Sequence, residues 1–158
     1  MLRRLLRVLR PKRTQPAPRR RTAGTRQGQP ALWGPPSGRV LVSYAPRRDG
    51  RADAGEIVWT LVTFEDDRTQ SKDRPVLIIG SRGAWLAGLQ LTSKHHETGL
   101  FMDIGSGPWD RQRRPSQVRL DRLINVDPSR VRREGAALSP ALFAKVVDAA
   151  RPYLTELH

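Results

Sequence analysis

The 158 residues suit one domain with a single modest core and a tail. A formal charge of +14 points to a polyanionic partner until its distribution is read: residues 1–51 hold 14 Lys and Arg against one acid, Asp49, while residues 52–158 carry 15 basic and 14 acidic residues. The absence of cysteine excludes disulfides, thiol nucleophiles and Cys-based zinc sites, and no apolar stretch approaches the roughly 20 residues that span a bilayer.

Arg outnumbers Lys 25 to 4, a bias that a GC-rich coding sequence produces without selection for nucleic-acid contacts. At the N-terminus, Leu2, Leu5, Leu6 and Leu9 recur at helical spacing among Arg3, Arg4, Arg7 and Arg10. Such a basic amphipathic segment can lie on an anionic membrane or on nucleic acid. A disordered tail, or residues upstream of the true start codon, accounts for it more simply. Residues 11–51 follow with seven prolines and five glycines among Arg and Gln. That composition buries too little apolar surface to offset ordering costs of about 1–2 kcal/mol per residue. Residues 1–51 therefore read as an Arg/Pro-rich disordered tail and residues 52–158 as the folded domain. The one apolar exception, Arg39–Tyr44, offers a short strand or a docking contact.

From Gly55 onward the pattern becomes one of short β-type runs. These are Glu56–Phe64, Pro75–Gly80, Ala84–Thr92, Leu100–Ile104, Gln117–Leu120 and Leu123–Val126, each rich in Val, Ile, Leu or aromatics and bounded by Gly, Pro or Asp. Ser81-Arg82-Gly83 makes a tight connection between two of them. Ser139-Pro140 reads as the N-cap and first residue of a helix. Leu142, Phe143, Val146, Val147 and Ala150 give that helix one apolar face, and Pro152 ends or kinks it. The expected fold is a β-rich α+β domain, a small barrel closed by a C-terminal helix.

The candidate chemistry lies between Asp73 and Ser93. Arg74 precedes a proline, which drives it into extended backbone at the mouth of the run Pro75–Ile79. The next run closes on Leu91-Thr92-Ser93. If the two runs pair as neighbouring strands, a guanidinium and a hydroxyl meet at one rim of the sheet, where they can hold a phosphate. A surface Arg74 paired with Asp73 is the plainer alternative. His95, His96 and His158 are the only histidines. Neighbours on an extended chain point to opposite faces, so His95 and His96 do not share a metal, and no metal or cofactor is expected. A solvated loop is the simplest reading of that pair, although either could assist proton transfer. Trp109 beside Arg111, Arg113 and Arg114 pairs an aromatic with clustered cations, suited to stacking a base and holding the backbone of RNA. Trp59 reads as core, and Trp85 as core or interface.

In order and spacing, Gly55-Glu56-Ile57-Val58-Trp59, a polar loop, Asp73–Gly80 and Leu89–Ser93 resemble the PemK/MazF family of toxin endoribonucleases. Ser116–Val126 looks like that family's strand pair, and Gly135–Ala150 is similar to its closing helix. The resemblance covers roughly Gly55 to Leu154. It implies an SH3-like barrel that forms homodimers in the cytoplasm, cuts single-stranded RNA at short sequences without metal, and is neutralised by a cognate antitoxin. It places the family's catalytic arginine on Arg74 and its catalytic threonine on Thr92. Ser93, Lys72, Trp109, Arg111, Arg113 and Arg114 are the accompanying RNA-binding candidates. The chain departs from the family pattern at Gln90, where many members carry proline. It departs again in the acidic Glu65-Asp66-Asp67 loop, whose charge must be offset by Arg68, Lys72 or the Arg111–Arg114 run if RNA is to approach. A non-catalytic barrel that binds nucleic acid or a partner peptide is the competing function.

Overall fold

The computed structural model describes residues 38–47 and 49–158. The N-terminal amphipathic segment and most of the expected tail lie outside them. The described strands are β1 (Leu41–Val42), β2 (Glu56–Thr63), β3 (Ser71–Arg82), β4 (Trp85–Thr92), β5 (Phe101–Gly105), β6 (Ser116–Val126) and β7 (Arg132–Ala137); one helix follows, α1 (Pro140–Ala150). The strands form one antiparallel sheet in the order β5-β6-β4-β3-β2-β7, with β1 paired to β3. No ladder among the described residues joins β7 back to β5, so the sheet is a curled half-barrel.

Alternation along β2 and β3 sends side chains into two cores. Ile57, Leu77, Ile79, Leu89, Leu91 and Val118 face α1, where Phe143, Val146, Val147 and Ala150 complete the larger core. Val58, Val62, Val76, Ile78, Ile124 and Val126 form a smaller one on the opposite face. The helix begins where the sequence predicts: Ser139 Oγ accepts from the Leu142 N–H at 3.3 Å, and Pro140 sits at the first turn. Tyr44 ties this end together, its ring 5.1 Å from that of Phe143 and its hydroxyl donating to Leu138 O at 2.8 Å.

Three differences from the sequence reading have clear causes. Gly135–Ala137, part of the stretch that resembles the family's closing helix, instead continues β7 and pairs with the free edge of β2 through Ile57↔Ala136 and Glu56↔Ala137. Backbone pairing at that edge outweighs local propensity, and the helix waits for Pro140. The runs Gln117–Leu120 and Leu123–Val126 are one strand of 11 residues, β6, without the turn that Asp121-Arg122 suggested. Its partner register jumps from Leu89↔Leu123 to Leu91↔Val118, a bulge that bends the strand.

The third difference concerns the apolar exception in the expected tail, which is a seated strand. Val40 is fully buried, and β1 pairs with β3 through Leu41↔Ser81 and Val42↔Gly80. Gly80 permits this closeness, since a Cβ there would collide with the Leu41 carbonyl. The far end of the chain covers the other side. Val40 N–H donates to Glu156 O at 2.8 Å, His158 N–H to Val40 O at 3.1 Å, and Val42 N–H to His158 O at 3.0 Å. Among the described residues no helix is long and apolar enough to cross a membrane.

Candidate active site

β3 begins at Ser71, earlier than its apolar run, because Ser71–Pro75 pair with Thr63–Trp59 of β2. On the other side of β3 the ladder to β4 starts only at Val76↔Gln90. Pro75, which has no N–H to offer a ladder, stands where that pairing stops. The interruption leaves room beside Arg74. Arg74 lies opposite Thr60, is half-buried, and lines a cavity of about 150 Å³ together with Gln90, Glu65, Asp66, Arg119 and Arg122. The plainer pairing with Asp73 does not form, because Asp73 is taken by Arg132 from β7. Arg74 has no hydrogen bond or ion pair with any other described residue.

Thr92 is the last residue of β4, half-buried and paired with Gln117 of β6. Its Oγ1 accepts from the Lys94 N–H at 3.1 Å, which leaves the hydroxyl proton available to a further acceptor. The β3–β4 ladder ends at Val76↔Gln90, two residues short of both Arg74 and Thr92, and Thr92 does not line the Arg74 cavity. Ser93 follows Thr92 and is exposed, as is Lys72 opposite Val62. The histidine loop is held by Gln117. Its Oε1 accepts from the His96 N–H at 2.8 Å, and its Nε2 lies 3.2 Å from His95 Nδ1. His96 stacks on Phe101 at 4.0 Å.

The acidic loop does border the Arg74 cavity, but its neutralising partners differ from those expected. Glu65 bridges Arg119 Nη1 at 3.0 Å and Arg122 Nε at 3.3 Å, and Arg122 Nη2 also donates to Thr63 O at 2.8 Å. Asp121 grips the other edge of Arg119, with 2.7 Å to Nε and 3.1 Å to Nη2. On a regular strand, positions 119 and 122 point to opposite faces. The β6 bulge is what turns both guanidinium groups toward Glu65. Neither arginine was singled out from sequence, since strict alternation separates them.

These hydrogen bonds fix the charge states. The Arg119 guanidinium holds the Asp121 carboxyl below its ordinary range against the opposing effect of burial, and Arg114 does the same for Asp110. Arg119 is raised in turn, chiefly by Asp121 and further by Glu65. Depressed carboxylates contribute stability in full above the unfolded value of about 4 and lose it as pH falls through the folded value. The urea midpoint should therefore hold steady from pH 7 to about pH 5 and fall below about pH 4. Asp121→Asn should flatten part of that acid limb.

The remaining RNA-binding candidates sit elsewhere. Arg111 and Arg114 line a second cavity, of about 340 Å³, with Trp59, Pro108, Trp109 and Arg132. Trp59, paired with Pro75 and Arg132, points away from the face of Thr60 and Arg74. The two cavities share no lining residue. Trp109, expected to stack a base, lines this second cavity but is only 6% exposed: its side chain belongs to the larger core, and its Nε1–H donates to Ser116 Oγ at 3.1 Å. Trp59 is half-buried, its Nε1–H given to Trp109 O at 2.9 Å. Trp85 opens β4 at 36% exposure. Arg111, Arg113 and Arg114 are exposed; Arg114 pairs with Asp110 at 2.7 Å, and Arg113 takes a left-handed φ of 53°.

A sequence profile described as PemK-like, MazF-like toxin of type II toxin-antitoxin system matches residues 53–154. No curated protein matches the chain. Among solved structures, MazF (form I) from Deinococcus radiodurans is 19% identical with a TM-score of 0.53, covering 66% of this chain and 96% of that one. An endoribonuclease from a mycobacterial species is 17% identical with a TM-score of 0.46, covering 66% and 92%. A mycobacterial endoribonuclease in complex with its cognate antitoxin is 16% identical with a TM-score of 0.48, covering 66% and 96%. The fold is thus that of MazF, as the first comparison shows. With the profile spanning β2 through the residues that follow α1, the chain belongs to the family of PemK-like, MazF-like toxins of type II toxin–antitoxin systems.

Proposed function

We propose that this chain is the endoribonuclease toxin of such a pair. It cuts single-stranded RNA at a short sequence, without metal, and acts as a cytoplasmic homodimer of SH3-like barrels that a cognate antitoxin neutralises. One observation carries the reading: Arg74 is a half-buried guanidinium on a cavity, with no partner among the described residues. A cation at a cavity that no protein carboxylate pairs is free to receive a phosphate.

The RNA supplies its own nucleophile. The 2′-oxygen attacks the adjacent phosphorus and gives its proton to an acceptor, the bond from phosphorus to the 5′-oxygen breaks, and that oxygen takes up a proton. The products are a 2′,3′-cyclic phosphate and a 5′-hydroxyl. Negative charge grows on the non-bridging oxygens during attack, where Arg74 offers a planar fork of donors that stays cationic at any working pH. Thr92 donates its hydroxyl proton to the same phosphate. Ser93, Lys72, Arg111, Arg113 and Arg114 supply backbone contacts to flanking nucleotides.

The test is digestion of a long natural RNA by the purified protein in excess EDTA, with both new ends mapped. Cyclic phosphate and 5′-hydroxyl ends at one recurring short sequence are expected. Intact RNA overturns the ribonuclease, and cutting that EDTA abolishes overturns the metal-free mechanism.

A further inference from the structure

We propose that Arg119 and Arg122 form a second phosphate subsite beside Arg74, whose place in the free protein is held by the carboxylate of Glu65. The inference rests on the ribonuclease reading and extends it to the nucleotide next to the scissile one.

Three guanidinium groups line the 150 Å³ cavity. Arg74 is unpartnered among the described residues, while the other two are joined by a single carboxylate, one oxygen to each: Oε2 to Arg119 and Oε1 to Arg122. Two oxygens sharing a delocalised negative charge are also what a phosphodiester presents through its non-bridging atoms. Glu65 thus stands in for a phosphate.

The supporting contacts are made by groups other than Glu65. Asp121 holds Arg119 by its Nε and Nη2 edge, which leaves Nη1 directed at Glu65. Thr63 O holds one amino group of Arg122 and leaves Nε to Glu65. The two donors are preset by the sheet, whereas the acceptor comes from the loop after β2 and is 47% exposed. An exposed carboxylate gives up little when an ion pair is exchanged for another anion. A strand of RNA seated on Arg74 can therefore displace Glu65 and gain two oriented guanidinium groups.

The experiment measures binding of a short, mixed-sequence, fluorescein-labelled single-stranded oligodeoxynucleotide to the full chain across a salt series. Lacking 2′-hydroxyls, the probe cannot be cut, so binding is read apart from catalysis. Glu65→Gln should tighten binding about 5-fold, the effect of removing two exposed competing ion pairs. Arg122→Gln should weaken it and lower the salt slope by about 0.7, one backbone contact on a single strand. In the double variant the gain from Glu65→Gln should shrink, because Glu65 acts through Arg122. Unchanged or weaker binding by Glu65→Gln overturns the proposal, as does an undiminished gain in the double variant, which would mark simple long-range repulsion. Arg122→Lys retains the charge if Arg122→Gln fails to fold, and should lie between the two. A chain that binds the probe in this pattern yet leaves RNA intact would defeat the ribonuclease reading alone.

Discussion

Arg74→Ala should lower the cleavage rate by about 10²–10³-fold, the range seen when one preorganised donor to a developing oxyanion is removed. The loss should appear in kcat and kcat/KM together, because the donor is asked to bind the transition state more tightly than the ground state. Stability should change little, since the side chain makes no hydrogen bond or ion pair with another described residue. Thr92→Ala removes one hydrogen bond to a charged group, worth about 1.5–3 kcal/mol, or roughly 10- to 150-fold in rate. Single-turnover digestion of a fixed RNA gives both numbers. If Arg74→Ala cuts as fast as the parent, the guanidinium has no part in the reaction.

Phe143→Ala should cost about 3–5 kcal/mol of folding stability, the usual toll for deleting a buried ring. Phe143 is 5% exposed, stands on the buried face of α1 and meets the ring of Tyr44. Its removal leaves a void where the helix, the larger core and the segment after β1 converge. A drop in melting temperature on the order of 10 °C by calorimetry is the expected result. A smaller core change on the opposite face, such as Val62→Ala, should cost less.

Most of the fold was legible because its signals are local. Gly and Pro punctuation bounded β2, β4 and β5 to within a residue or so, and Ser139-Pro140 fixed the start of α1. The strand positions of Arg74 and Thr92 were legible for the same reason. Arg74 stands just before the proline that precedes the β3–β4 ladder, and Thr92 closes β4.

What escaped was set by long-range pairing. Gly135–Ala137 took its conformation from the edge of β2, which no local window contains. The charged pair Asp121-Arg122 looked like a break in a strand, yet the bulge absorbs it and points Arg119 and Arg122 the same way. Trp109 looked like a loop aromatic among arginines. Its Nε1–H found Ser116, and its ring found the core.

The backbone bonds between Val40–Val42 and Glu156–His158 bear on how the chain is made. A ribosome releases the first of these segments long before the last, so β1 cannot complete its docking until residues 156–158 have emerged. Contacts so distant in sequence are slow to form, because the entropy of closing the intervening loop must be met first. Until then Val40 lacks the backbone partners that cover it on the side away from β3, and the seating of β1 is a late step of folding.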